Sequence, residues 1–329
     1  MLHDMIQMPN NGLTMVDMFC GAGIGAIGFK RAGFDIVDAF DIKKYAVDTY
    51  NLNIGNHARV LDARKINSGD LKEADIYVGG FPCQPFSIAG AMKGKNDERS
   101  GDMGYHFARI IKENMPNIFV GENVSGIISK RNLPFFNELI SFLKDIGYNI
   151  SWEKIDCYNY GVPQNRVRVF VVGFRKTFNK TFIFPYKFEK SKRKSIKDAI
   201  FDIQESTSIK NNIDYYDGGF SPRYLSRNRQ RQWNEPSYTI VSEMRQLPLH
   251  PEPQNYDIRL GKENAPRRLN VRECLRIQTV PDEFFFEDSI PLSKQYERCS
   301  GIPSYFAYML GKEIAKQFRD SNNWNLRLF

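Results

Sequence analysis

Short apolar runs alternate with amphipathic stretches through the first half of the chain, the pattern that builds a parallel sheet covered by helices. It predicts strands over 14–19, 35–40, 75–78, 118–122, 150–156 and 168–174. Helices are expected between them over 26–32, 43–51, 105–113 and 135–145, each bounded by Gly, Pro or Asn. After Phe174 the texture changes to a Lys-rich stretch, 187–197, and then to a polar, Asn- and Tyr-rich segment with short strand-like pieces. That change predicts a second, smaller domain. Helical spacing returns over 305–318, which is expected to pack back on the first domain.

With 329 residues the chain can bury a substantial core. Its formal charge of +8 and pI near 9.1 favour a polyanionic partner. Five cysteines, Cys20, Cys83, Cys157, Cys274 and Cys299, are widely spread with no Cys-x-x-Cys spacing, so neither a disulfide framework nor a zinc site is indicated. A reducing cytosol fits that usage. Residues 1–12 lack the apolar core of a signal peptide, and no run approaches a membrane span, so a soluble cytoplasmic protein with no membrane partner is expected.

Chemistry concentrates where strands end. Gly21, Gly23 and Gly25 follow the first strand and open a helix, which lets a cofactor approach backbone and helix N-terminus closely. Two readings fit this turn, a dinucleotide fingerprint with Ala26 in third position and the Gly-rich loop of S-adenosylmethionine enzymes. In either, Asp41 at the end of the second strand is placed to accept from ribose hydroxyls, and Asp62 can take an amino proton from adenine. Cys83 lies on a Pro-kinked, Gly-flanked turn after the strand 75–78, the setting of an exposed nucleophile. Glu122 ends another apolar run. Three strand-end loops therefore suggest one site.

Five ordered blocks resemble the cytosine-5 DNA methyltransferases: DMFCGAGIG (17–25), GGFPCQPFS (79–87), GENVSG (121–126), YGVPQNRVRVFVVG (160–173) and RRLNVRECLRIQTVPDEF (267–284). The second and third are specific to that family, whereas the Gly-rich block is shared by many enzymes. The resemblance implies an α/β fold: a Rossmann-like S-adenosylmethionine-dependent methyltransferase domain over 1–186 and 294–329, and a smaller target-recognition domain over 187–293. It implies double-stranded DNA in the cleft between them and S-adenosylmethionine against Phe19, Gly21, Gly23, Asp41, Ile42 and Asp62. Carbon 5 of cytosine is too weakly nucleophilic to take a methyl group, so the family attacks carbon 6 with a thiolate, here Cys83. The resemblance assigns Glu122 to the cytosine N3 edge and Arg168 to O2, with Arg166 organising the same corner and no metal. Such chemistry needs the base flipped out of the duplex. The Gly-rich stretch 86–104, with Lys93 and Lys95, suits a mobile loop closing over DNA, and Ser87 is expected to reach the vacated space.

The chain departs from the family at three places. Arg298-Cys-Ser-Gly-Ile-Pro-Ser304 stands where the family has Gly-Asn-(Ala/Ser)-Val, Thr279 occupies a place commonly held by Gly, and Asp41 replaces the more usual Glu. In the smaller domain, 226–240 and the following 245–251 resemble the recognition element of restriction-modification methyltransferases that read GGCC. That likeness makes Arg227, Arg229 and Arg245 candidate DNA-reading residues, with Trp233 and Tyr238 as core anchors. The expected protein acts as a monomer, associated with the nucleoid and with a possible cognate restriction endonuclease sharing its site. Competing readings are a tRNA methyltransferase, which the separate segment after Phe174 argues against, and a non-catalytic DNA-binding relative, which would lack Cys83 or Glu122. A nicotinamide oxidoreductase leaves the Cys83 and Glu122 blocks unexplained.

Overall fold

The computed structural model describes residues 5–81, 103–205, 216, 224, 228–253 and 266–320. Its first half runs β1 (Thr14–Met18), α1 (Ile24–Arg31), β2 (Asp35–Asp41), α2 (Lys44–Asn53), β3 (Ala58–Val60), β4 (Ile76–Gly80), α3 (Met103–Asn114), β5 (Ile118–Val124), α4 (Leu133–Asp145), β6 (Tyr148–Asp156) and β7 (Val167–Arg175). The later elements are α5 (Ile196–Ile200), β8 (Leu249–Pro253), β9 (Pro266–Arg268), α6 (Val271–Ile277), α7 (Leu292–Arg298) and α8 (Ser304–Arg319).

The strands of the first half form one seven-stranded sheet in the order β3-β2-β1-β4-β5-β7-β6. Strands β1 to β5 are parallel, as the alternation of apolar and amphipathic runs predicts. The expectation of parallel strands fails at one edge, where β7 lies antiparallel to both β5 and β6. The reason is the connection: a parallel return needs a crossover of a dozen or more residues, and the short turn 157–166 supports only antiparallel pairing. Central strands read as near-continuous apolar runs because both faces are covered, and Met15, Val16, Ile76, Tyr77, Ile118, Phe119 and Val120 are all buried.

Helix α8 folds back onto α1, as its amphipathic spacing suggests. The approach is so close that a Cβ on Gly28 would fall 2.1 Å from the Ser304 carbonyl oxygen, so only glycine fits there. Ser304 Oγ donates to the Ile24 carbonyl at 2.6 Å and ties the start of α8 to the start of α1. Helix α6 is buried on every side and carries charges inward. Those charges are compensated: Arg276 pairs with Asp202 at 3.2 Å and with Asp282, and Arg267 meets Glu273 at 2.6 Å. Among the described residues no helix is long and apolar enough to cross a membrane.

Candidate active site

The strand order reverses between β1 and β4, because the chain builds β2 and β3 on one side of β1 and then crosses to the other. Loops leaving the carboxyl ends of neighbouring strands diverge at such a point and open a crevice. A cavity of about 480 Å³ lies there, lined by Phe19 and Gly21 after β1, Asp41 at the end of β2, Gly80 and Phe81 at the exit of β4, and Glu122 on β5. Arg166 and Arg168 from the start of β7 close one side, with Val241 and Ser242. Ser300, Gly301 and Ile302 close the other.

On the β1 side the turn is held open by backbone geometry. Phe19 and Gly21 have φ of 54° and 55°, and Gly23, the residue before α1, has φ 87°. Gly23 does not line the cavity. A Cβ there would meet Ile54 at 2.6 Å, so this glycine serves the packing of the turn on α2. The Asp41 carboxylate accepts from the Gly21 N–H at 3.1 Å and the Lys43 N–H at 2.9 Å, which fixes it at the cavity edge. Ile42 and Asp62 lie off the main cavity, in an adjoining hollow with Val60, Leu61 and Ile66. Asp62 is gripped by Arg64 at 2.6 Å, which holds its carboxyl below the usual range.

A further acid, Asp17, lines the cavity and was not among the candidates from sequence. Its position inside a strand reads as structural, and only the three-dimensional placement shows it facing Asp41. Burial, and then the charge of Asp41, pushes its carboxyl from 3.8 up to about 8. The cavity thus presents two carboxyls in a poorly hydrated setting. A cation is favoured there and an anion is opposed.

On the β4–β5 side the register sets Gly80 beside Glu122, and a Cβ on Gly80 would sit 3.1 Å from Glu122 Oε2. Arg168 Nε lies 3.0 Å from Glu122 Oε1, but its N–H does not point at that oxygen, which is buried and accepts no hydrogen bond from the described residues. A buried carboxyl oxygen left open in this way is costly unless a ligand pairs with it, by donating to the carboxylate or by accepting from the protonated carboxyl. Arg166 is buried and donates to the Ile240 carbonyl at 3.2 Å. Burial and the neighbouring Arg168 bring its guanidinium down to about 10, against the opposing pull of Glu122. Asn123, which sequence reasoning did not single out, donates to the Phe81 carbonyl at 2.9 Å and so fixes the exit of β4. Cys83 and Ser87 lie outside the described residues, as does Arg227. Two peptide units separate Cys83 from Phe81, a span of at most about 7 Å.

The family model for C-5 cytosine-specific DNA methylases matches residues 13–316. The chain belongs to that family. It is 37% identical to the Type II methyltransferase M.FnuDI of Fusobacterium nucleatum, over 94% of this chain and 96% of that protein. Similarity to M.NgoPII of Neisseria gonorrhoeae is 35% identity over 89% of this chain and 96% of the relative. Among solved structures, a DNA modification methyltransferase encoded within an E. coli prophage superposes with a TM-score of 0.68 at 21% identity, covering 93% of this chain and 99% of that one. The Dnmt2 methyltransferase of S. pombe gives 0.67 at 18% identity, over 94% and 99% of the two chains. These structures share the fold.

The departures from the family pattern have local explanations. Thr279 adopts φ 61°, the left-handed region that favours glycine, and its strain is offset by two hydrogen bonds, to the Gln278 carbonyl at 2.5 Å and from the Tyr305 N–H at 2.8 Å. Of the segment 298–304, Ser300, Gly301 and Ile302 form cavity wall from backbone and short or apolar side chains. In the recognition segment, Trp233 donates to Glu252 at 3.0 Å and stands edge-on to Phe201 and His250, while Tyr238 lies 4.2 Å under Arg231. Trp233 packs against the core, whereas Tyr238 is half-buried beneath Arg231. Arg229 lies over the Tyr224 ring at 5.0 Å, whereas Arg245 is exposed on a groove that meets the cavity at Ser242 and Glu297.

Proposed function

We propose that this methyltransferase binds S-adenosylmethionine and a flipped cytosine of double-stranded DNA in the one cavity, and methylates carbon 5 through a covalent Cys83 adduct. The observation that carries this reading is the meeting of two chemistries there: the paired carboxyls Asp17 and Asp41 at one end, and Glu122 with Arg166 and Arg168 at the other. The first end suits a cationic ligand with ribose hydroxyls, which Asp41 can accept from. A dinucleotide would instead bring an anionic pyrophosphate to the same carboxyls. When bound, S-adenosylmethionine supplies an electrophilic methyl carbon.

The chain's own residues do the rest. Cys83 adds to carbon 6, forming a carbon–sulfur bond and turning carbon 5 into an enamine carbon. Glu122 donates to N3 and Arg168 to O2, so charge developing on the ring meets groups already in place. After carbon 5 is methylated, loss of its proton and expulsion of the Cys83 thiolate restore the aromatic ring. Residues 187–293 serve as the target-recognition unit, reading a GGCC-like site, and the modification protects host DNA from a nuclease of the same specificity. Bisulfite sequencing of plasmid DNA from expressing cells tests this directly. Protected cytosines at one short motif are expected, and DNA without them after expression of active protein removes the reading.

Asp17 gives a pH-dependent prediction. Its folded carboxyl titrates at about 8 against 3.8 ordinarily, so the stability it contributes is full below about pH 4 and is lost as pH rises through about 8. A bound cation favours the carboxylate, and S-adenosylmethionine binding at pH 7 is therefore expected to expel up to about one proton. Calorimetry at pH 7 in two buffers of different ionisation enthalpy measures that number. Release should vanish in Asp17→Asn, and a release equal in both proteins removes Asp17 from the role.

The arginines separate by what their loss does to sequence choice. A guanidinium matches O6 and N7 of guanine as a pair, so a base-reading arginine replaced by alanine costs about 1–3 kcal/mol and relaxes one base pair. Loss of a phosphate contact weakens all sequences alike and flattens the salt dependence. At least one of Arg227, Arg229 and Arg245 is expected to behave in the first way. Methylation rates of the three Arg→Ala proteins on single-base site variants at two salt concentrations decide it, and uniform losses in all three would show that they only hold the backbone.

A further inference from the structure

Gln164 is fully buried where three distant stretches of chain meet. Its amide nitrogen donates to the Ile277 carbonyl at 3.1 Å and to Gln278 Oε1 at 2.7 Å, and its oxygen accepts from the Ile240 N–H at 3.1 Å. Gln278 is equally buried and donates onward to the Cys299 carbonyl at 2.9 Å. The directions are mutually forced. Turning Gln164 over would set its NH₂ against the Ile240 N–H and its oxygen against two acceptors. Turning Gln278 over would set NH₂ against NH₂ and oxygen against oxygen. Only one arrangement satisfies all four contacts, and a buried network of this kind is costly to break.

Both ends of the network adjoin the cavity. Val241 and Ser242 follow Ile240 on the Arg166 side, and the Ile240 carbonyl itself holds the Arg166 guanidinium. Ser300, Gly301 and Ile302 follow Cys299 on the side of the Gly21 turn, where a Cβ on Gly25 would lie 3.3 Å from Ile302. We propose that Gln164 and Gln278 are positioning residues that couple the two halves of the cavity, so that filling one wall sets the other. The proposal rests on the reading that cofactor and target base share this cavity. It makes the coupling reciprocal: DNA tightens the cofactor site by the factor by which the cofactor tightens DNA.

The test is calorimetric binding of S-adenosylhomocysteine to wild type, Gln164→Met, Gln278→Met and the double variant, each alone and with a duplex carrying the mapped motif. Wild type is expected to bind the analogue about fivefold or more tightly with DNA present. Each single variant should keep its DNA-free affinity within about threefold and bring the ratio close to one, and the double variant should add nothing further. A wild-type ratio of one, or a ratio preserved in both single variants, overturns the coupling, as does a loss of affinity that is equal with and without DNA. Hydrogen exchange on the wild type gives a measurement independent of whether the variants fold: the analogue alone should slow exchange of the Ile240 amide, and unchanged exchange also overturns the proposal. Wild type that neither binds the analogue nor methylates DNA removes the functional reading itself. A methylating wild type that fails these measurements removes only the coupling.

Discussion

Cys83→Ser is expected to lower methyl transfer by on the order of 10³-fold or more, equal to about 4 kcal/mol of barrier, while cofactor and DNA binding persist. The reason is the nucleophile. A thiol is a few per cent thiolate at neutral pH and intrinsically reactive, whereas a serine hydroxyl needs an adjacent base to attack carbon 6. Two features of the structure prepare the neighbourhood: Asn123 fixes the carbonyl of Phe81, two residues before Cys83, and Glu122 stands beside Gly80. Neither depends on the sulfur, so the substitution should leave the fold intact. Duplex DNA with 5-fluorocytosine at the target position makes the prediction specific. Fluorine cannot leave carbon 5 as a proton does, so wild type should be trapped as a covalent complex and Cys83→Ser should not. A serine variant that turns over at a near-normal rate would remove the covalent mechanism.

How much of this was legible in sequence follows the range of the interactions involved. Strands β1, β4 and β5 announce themselves as apolar runs because burial on both faces leaves little room for polar residues, and β2, DIVDAFD, shows through the apolar residues between its aspartates. Strand β3 does not, since it is three residues long with only Ala58 buried. The direction of β7 was also hidden, because a period of two reports faces and not polarity. The motifs at the ends of β1 and β4 stand out in the sequence because each is local, although one of the glycines, Gly23, serves the packing of the turn on α2. Asp17 sits in the first of these motifs without announcing its role, because a carboxyl inside a strand gives no sign of which residue it will face. The wall 300–302, Val241 and Ser242, and the Gln164–Gln278 pair depend on contacts between stretches more than a hundred residues apart or on the course of irregular chain. No local pattern encodes them. The recognition segment shows the same division: Trp233 packs on the core as its size predicts, while Arg229 and Arg231, half-buried over aromatic rings, are distinguished from the exposed Arg245 by contacts the sequence does not show.

Glu122→Gln tests the other half of the catalytic corner, and its expected cost is about 10²–10⁴-fold in kcat, the usual worth of a positioned proton donor. Glutamine keeps the size of the side chain and can still donate a hydrogen bond, so the substitution isolates the carboxyl group's ability to pass a proton to N3. Two roles compete for Glu122 in the structure. It is the ion-pair partner of Arg168 at 3.0 Å, and it holds a buried oxygen with no hydrogen bond among the described residues. If pairing were its purpose, its loss would destabilise the protein and disturb Arg168, because removing one member of a largely buried pair leaves the other uncompensated. If the open oxygen is the purpose, the fold and cofactor affinity survive and the chemical step fails. Thermal unfolding and S-adenosylhomocysteine binding separate the two, read beside the rate of covalent trapping on 5-fluorocytosine DNA. Slow trapping by a stable, cofactor-binding variant is the expected result, because adduct formation is the step in which charge reaches N3. Glu122→Gln protein that traps DNA within about threefold of the wild-type rate would assign Glu122 to holding Arg168 and leave the ring's charge to the arginine alone.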